Sequence, residues 1–150
     1  MKITEALVTE HAVFLGVFEQ IECALPGCTT LSELRTMADI VEGLLGPHAQ
    51  SESELAYAAL DQALAERGRL DRLYQEHDEL EAALGKARQA RTYVEGRQLL
   101  EACLRAAREH FLYEEREVFP LLEQWLAEDS LAELGRVWLA RRLQTQPSAP

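Results

Sequence analysis

A chain of 150 residues has the size of one domain and buries a core without disulfide staples. Leu, Ala, Glu, Arg and Gln are plentiful while Val, Ile and Thr are sparse, a balance that favours helix over sheet. A net charge of −11 argues against nucleic acid and anionic membranes as partners, and no apolar run approaches the roughly 18–20 residues of a membrane span.

The first helix is expected from Thr4, a suitable N-cap, to Ala24, with Leu7, His11, Phe14, Leu15, Phe18 and Ile21 on one stripe. The N-terminal segment MKITEALVTEH has one basic residue and no apolar stretch, so no secretion leader is expected and the reading is cytoplasmic. Pro26-Gly27 ends the helix. Thr30 and Glu33 form a capping box for the second, whose buried face is Leu34, Met37, Ile40, Val41, Leu44 and Leu45. Gly46-Pro47 interrupts that pattern, but Leu55, Ala58, Ala59 and Leu64 continue it, which predicts a kinked helix reaching Ala65. After a turn at Gly68, a third helix runs from Leu70 to Ala90 with Leu73, His77, Leu80 and Leu84 inward. The fourth runs from Tyr93 to Leu126, kinked or ended by Pro120, and carries Leu99, Leu100, Cys103, Leu104, Ala107, His110, Phe111, Glu114, Val118 and Leu121. A shorter helix over Leu131–Leu143 closes the chain. The expectation is an all-α, up-down-up-down four-helix bundle over 1–143 and a disordered tail over 144–150.

The sequence has four histidines, His11, His48, His77 and His110, one in each long helix. Three have a glutamate four residues on, His48/Glu52, His77/Glu81 and His110/Glu114, and such pairs share a helix face. A lone inward histidine is usually a hydrogen-bonded core residue. With acids at this frequency, three chance hits in four is on the order of one or two per cent. In each half the first histidine lies about 13 residues before its helix ends and the second about 17 after the next begins, which brings each pair to one level. The second and third helices match less well, predicting an overhang or a longer connection. An unpaired carboxylate in a bundle core is costly, and a divalent cation removes the cost. Four imidazoles and two carboxylates exceed one tetrahedral zinc and suit two metals bridged by the carboxylates.

The order His, His-x-x-x-Glu, His, His-x-x-x-Glu resembles the hemerythrin-like (HHE cation-binding) family, most visibly in EHFLYEEREVFPLLE around His110, with GPHAQSESELAY around His48 as a weaker copy and QEHDELEAAL around His77 fitting the family's third helix. The resemblance implies His11, His48, His77 and His110 as terminal ligands, and Glu52 and Glu114 as bridges, of a non-haem di-iron centre, with zinc or manganese as alternative metals. The ferritin-like Glu-x-x-His pattern fails, because Val8, Leu45, Tyr74 and Ala107 stand three before the histidines. The oxygen-carrying members have a fifth histidine on the third helix, where this chain has Leu73 and Glu81. That difference points from reversible carriage toward an open site that binds or senses O2, NO or peroxide. Consumption of peroxide or NO, iron donation for cluster repair, and a structural bundle with a zinc-filled or empty site are the other readings. Enzymatic activity and oligomeric state stay open, and a sensing role allows a protein partner.

Other residues carry weaker expectations. Glu115 is a solvated acid or a support for a ligand, and Glu81 an extra ligand or a surface acid. Phe14, Phe18, Phe111 and Tyr113 are candidates to wall the site, and Tyr57 and Tyr74 to contact a ligand or metal, against ordinary packing. Glu10, Glu76 and Glu109 each precede a histidine and are read as solvated. Trp125 and Trp138 are read as packing residues and Cys103 as core. The three cysteines fit a reducing compartment, with Cys23 and Cys28 read as plain thiols across a turn.

Overall fold

The computed structural model describes residues 1–64, 68 and 70–144. Among them the regular structure is helical: α1 (Ile3–Ala24), α2 (Leu31–Ser51), α3 (Ala58–Ala63), α4 (Asp71–Gln89), α5 (Tyr93–Tyr113), α6 (Phe119–Trp125) and α7 (Glu128–Gln144). The expected disordered tail, from residue 145 onward, and Ala65 lie outside the described residues. The capping box of Thr30 and Glu33 forms as read, and Thr92 caps α5 by accepting from the Glu95 N–H. Pro47 lies inside α2, which continues through it.

Two apolar clusters hold the bundle together. One contains Phe18, Ile21, Leu34, Ala38, Leu84, Ala87, Leu100 and Leu104. The other contains Ile3, Leu7, Leu55, Leu60, Leu73, Phe119, Leu122 and Leu131. The four long segments of chain pass between them in alternating order. α1 begins in the second cluster and ends in the first, the α2–α3 stretch does the reverse, α4 repeats α1, and the α5–α6 stretch repeats α2–α3. The histidine level falls between the two clusters, so its polar groups are enclosed by packed apolar side chains on both sides.

Three features depart from the sequence expectation. The second and fourth helices do not simply kink. Each gives way to a π-helical turn, Glu52–Tyr57 and Glu114–Val118, before α3 and α6 resume. Each π turn begins at the glutamate four residues after the histidine. The closing helix is also longer than expected, 17 residues. It packs along α1 so closely that a Cβ at Gly135 would stand 2.3 Å from the Met1 carbonyl oxygen. Ile40 and Trp125, expected inside, are exposed. α3 ends at Ala63, 15 residues after His48, whereas α4 begins at Asp71, six before His77, which is the unequal match expected between the second and third helices.

Candidate metal centre

The six residues singled out from the sequence meet at one place. His11, His48, Glu52, His110 and Glu114 are buried and His77 is nearly so. The Nε2 atoms pair across helices, His11 with His48 at 3.0 Å and His77 with His110 at 2.9 Å. Glu52 lies between the pairs. Its Oε1 is 3.0 Å from His48 Nε2 and 3.5 Å from His11 Nε2, and its Oε2 is 3.3 Å from His77 Nε2. Glu114 Oε2 is 3.5 Å from the Nε2 atoms of both His11 and His110. Two donor groups result, His11–His48–Glu52–Glu114 and Glu52–His77–His110–Glu114, with both carboxylates common to the two.

The outward nitrogens are held as well. Glu115 Oε1 lies 2.9 Å from His11 Nδ1, Glu10 Oε2 2.9 Å from His48 Nδ1, and Glu76 Oε2 2.8 Å from His110 Nδ1. An ionised carboxylate only accepts, so these three Nδ1 atoms carry protons, and each ring that gives up its other proton to a cation turns an Nε2 lone pair inward. Ser53 Oγ takes the same position 3.2 Å from His77 Nδ1. Glu10 and Glu76 therefore correct the sequence reading. Each points away from the histidine beside it and grips the histidine of the neighbouring helix. Glu115 supports His11 rather than facing water alone, while Glu81 and Glu109 are exposed.

Tyr57 is the residue sequence periodicity misplaces. At about 100° per residue, an uninterrupted α-helix would turn it roughly 140° from Glu52. The π turn, which adds a residue to the turn, brings it inward, where it is fully buried and donates its hydroxyl to Glu114 Oε1. Phe119 holds the matching place five residues after Glu114. Tyr57 stacks on His77 at 5.5 Å and Phe119 on His11 at 5.6 Å. Phe14 and Phe111 also contact the imidazoles, whereas Tyr113 is exposed beneath Arg72. Tyr74 reaches Asp61 instead of the centre.

The electrostatics are those of a site built for positive charge. Burial opposes ionisation of Glu52, but the facing His48, His11 and His77 hold its carboxyl well below the ordinary range. Burial and the Glu52 carboxylate push Glu114 well above it, against the Tyr57 hydroxyl. Burial also works against a charged His48, yet Glu52 and Glu10 lift it to about 9. Burial lowers His110. Both oxygens of Glu52 and Oε2 of Glu114 are buried without a hydrogen-bond partner among the described residues. Buried polar atoms are seldom left so, and converging imidazole lone pairs with orphaned carboxylate oxygens are matched by cations. The residues thus fit a pair of metal ions.

An all-helical bundle with such a His/Glu cluster belongs to the metal-binding helix bundles. The chain matches the hemerythrin HHE cation binding domain over residues 2–122 and belongs to that family. Comparison with curated proteins and with solved structures gave no match. The family match stops short of α7, and α7 reaches the centre all the same. Arg142 donates from Nε to Glu10 Oε1 at 2.7 Å and from Nη2 to Glu10 Oε2 at 3.0 Å. Trp138 Nε1 donates to Glu10 Oε2 at 3.2 Å. Burial opposes ionisation of Glu10, but His48 and Arg142 together hold its carboxyl down at about 2.

Proposed function

We propose that this protein is a non-haem di-iron protein that binds or senses a small molecule of the O2, NO or peroxide class at the bundle centre. His11 and His48 would hold one iron, His77 and His110 the other, with Glu52 and Glu114 shared between them. The observation that carries the reading is the set of three orphaned carboxylate oxygens enclosed by four inward imidazole nitrogens. Two irons bound in this way supply redox chemistry and coordination positions for an exogenous ligand. Four imidazoles for two metals leave more of those positions than five would.

The chain's own residues do the rest. Glu10, Glu76 and Glu115 fix the imidazole tautomers and raise their basicity toward a cation. Phe14, Phe111 and Phe119 exclude water on the His11–His48 side. Tyr57 holds a proton at Glu114 Oε1. Metal analysis and an optical spectrum of the purified protein test the reading. The expected result is two irons per chain with near-ultraviolet absorption of a bridged pair. Zinc or no metal after growth in iron-replete medium would count against it.

A further inference from the structure

Tyr57 does more than pair with Glu114. Its ring meets that of Tyr74 edge-on, with centroids 5.3 Å apart and planes at 88°. The two phenols are alike in one respect. Each donates to a carboxylate of its own, Tyr57 to Glu114 Oε1 and Tyr74 to Asp61 Oδ2 at 3.3 Å. They differ in depth. Tyr57 is fully buried and stacks on His77 at 5.5 Å, whereas Tyr74 and Asp61 are half-buried. An unbroken aromatic contact therefore leads from an imidazole of the centre to the outside of the bundle. Glu114 joins the two systems, with Oε2 toward the imidazole nitrogens and Oε1 toward Tyr57. Packing alone would be served by phenylalanine at either position. A phenol has a pKa of about 10 and is neutral at pH 7, so it loses an electron easily only where its proton has an acceptor at hand. Both phenols have one.

We propose that Tyr57 and Tyr74 form an electron relay through which a small uncharged reductant of the hydroquinone class, at the bundle surface, feeds the centre. This rests on the di-metal reading above. In each passage Tyr57 gives one electron to the oxidised centre and its proton to Glu114 Oε1. Tyr74 then gives one electron to Tyr57, which recovers its proton, and the Tyr74 proton steps to Asp61 Oδ2. A hydroquinone restores Tyr74 with one electron, the Asp61 proton returns, and the hydroquinone sheds one proton to water as it becomes a semiquinone. Two passages, with two protons taken up from water, reduce one hydrogen peroxide to two waters. The balance is one peroxide and two hydroquinones to two waters and two semiquinones. The reductant class follows from the outer end. Asp61 and Asp71 both act on the Tyr74 phenol, so an anion is repelled there and a neutral molecule is not.

Iron-loaded full-length protein mixed with hydrogen peroxide and rapidly frozen tests the proposal by electron paramagnetic resonance. The expected signal is a tyrosyl radical, which narrows in protein carrying ring-deuterated tyrosine. Tyr57→Phe should abolish it. Tyr74→Phe should keep the radical but strand it on Tyr57, so that hydroquinone removes it severalfold more slowly than from the unaltered protein. Asp61→Asn should slow removal in the same sense. Tyr113→Phe, at an exposed ring off the relay, should change nothing. On the unaltered protein, hydroquinone should act severalfold faster than ascorbate, an anion. Helical circular dichroism and unchanged iron content certify that each variant is folded and loaded. A loaded protein that gives no tyrosyl radical, or a radical indifferent to Tyr57→Phe, would overturn the relay and leave the di-metal reading intact. So would removal by hydroquinone at the same rate with and without Tyr74. Ascorbate acting as fast as hydroquinone would overturn the reductant class. A protein that takes up no iron would overturn both the relay and the reading beneath it.

Discussion

At the scale of single residues, the centre is a layered arrangement in which the inner donors are set by one periodicity and the outer ones by another. The inner set was legible because His and Glu at i and i+4 share a helix face, and this spacing occurs at His48/Glu52 and His110/Glu114. The outer set was not. Glu10 and Glu76 sit one residue before a histidine, so they leave the centre as seen from their own helix, and only the packing of a second helix turns them into partners of His48 and His110. Glu10→Gln, Glu76→Gln and Glu115→Gln should each weaken metal binding by about 10- to 100-fold in competition with a chelator, while exposed Glu109→Gln should leave it unchanged. Tyr57→Phe removes the donor to Glu114 Oε1 and leaves a further buried carboxylate oxygen unpaired. Denaturant unfolding of that variant, prepared without metal, should show a loss of about 1–3 kcal/mol.

At the scale of elements, the helices and their order follow from caps, apolar stripes and Pro-Gly punctuation, all local signals. The π turns do not, because the same residues satisfy a 3.6-residue stripe almost as well, and the choice is made by what the turn must place. Each starts at Glu52 or Glu114 and carries the residue five further on, Tyr57 or Phe119, over an imidazole of another helix. The reach of α7 was hidden for a related reason. Trp138 and Arg142 lie far from the centre in sequence, and their bonds to Glu10 depend on Gly135 letting α7 approach the start of α1. Gly135→Ala would drive a methyl group into the Met1 carbonyl and should cost about 1–3 kcal/mol. It should also loosen the Glu10 clamp. Arg142→Gln keeps the helix intact and removes the bidentate contact, so it should lower metal affinity at the His11–His48 position alone. A fall in affinity at both positions, read by stoichiometric titration, would show that α7 acts on the bundle as a whole instead.

At the scale of the whole molecule, the polar layer lies between two apolar clusters, and its charge balance sets how stability depends on pH. Glu10, Glu52 and His11 face His48 from α1 and from its own stretch, Arg142 of α7 backs Glu10, and His77 of α4 faces Glu52 from the other side. In protein prepared without metal, His48 is raised from 6.5 to about 9, so its contribution is full below 6.5 and is lost as pH rises through 9. Glu10 is lowered from 4.5 to about 2, so its contribution is full above 4.5 and is lost as pH falls toward 2. His110, held down by burial, loses its contribution as pH falls below 6.5, and Glu114, held up by burial and Glu52, loses its own as pH rises above 4.5. The metal-free protein should therefore melt highest at mildly acidic pH and lose stability toward pH 9. A cation reverses the upper limb, since an imidazole donating Nε2 to metal cannot hold a proton there, and protons compete with metal below about pH 6. The loaded protein should gain melting temperature from pH 5.5 to 7.5, and the gap between loaded and chelated samples should widen steadily toward pH 9. Thermal melts followed by circular dichroism across this range, with and without chelator, measure the gap directly. A gap that is constant with pH would mean that the metal is held by groups other than these histidines, and no gap at all would mean that the centre contributes nothing to holding the four helices together.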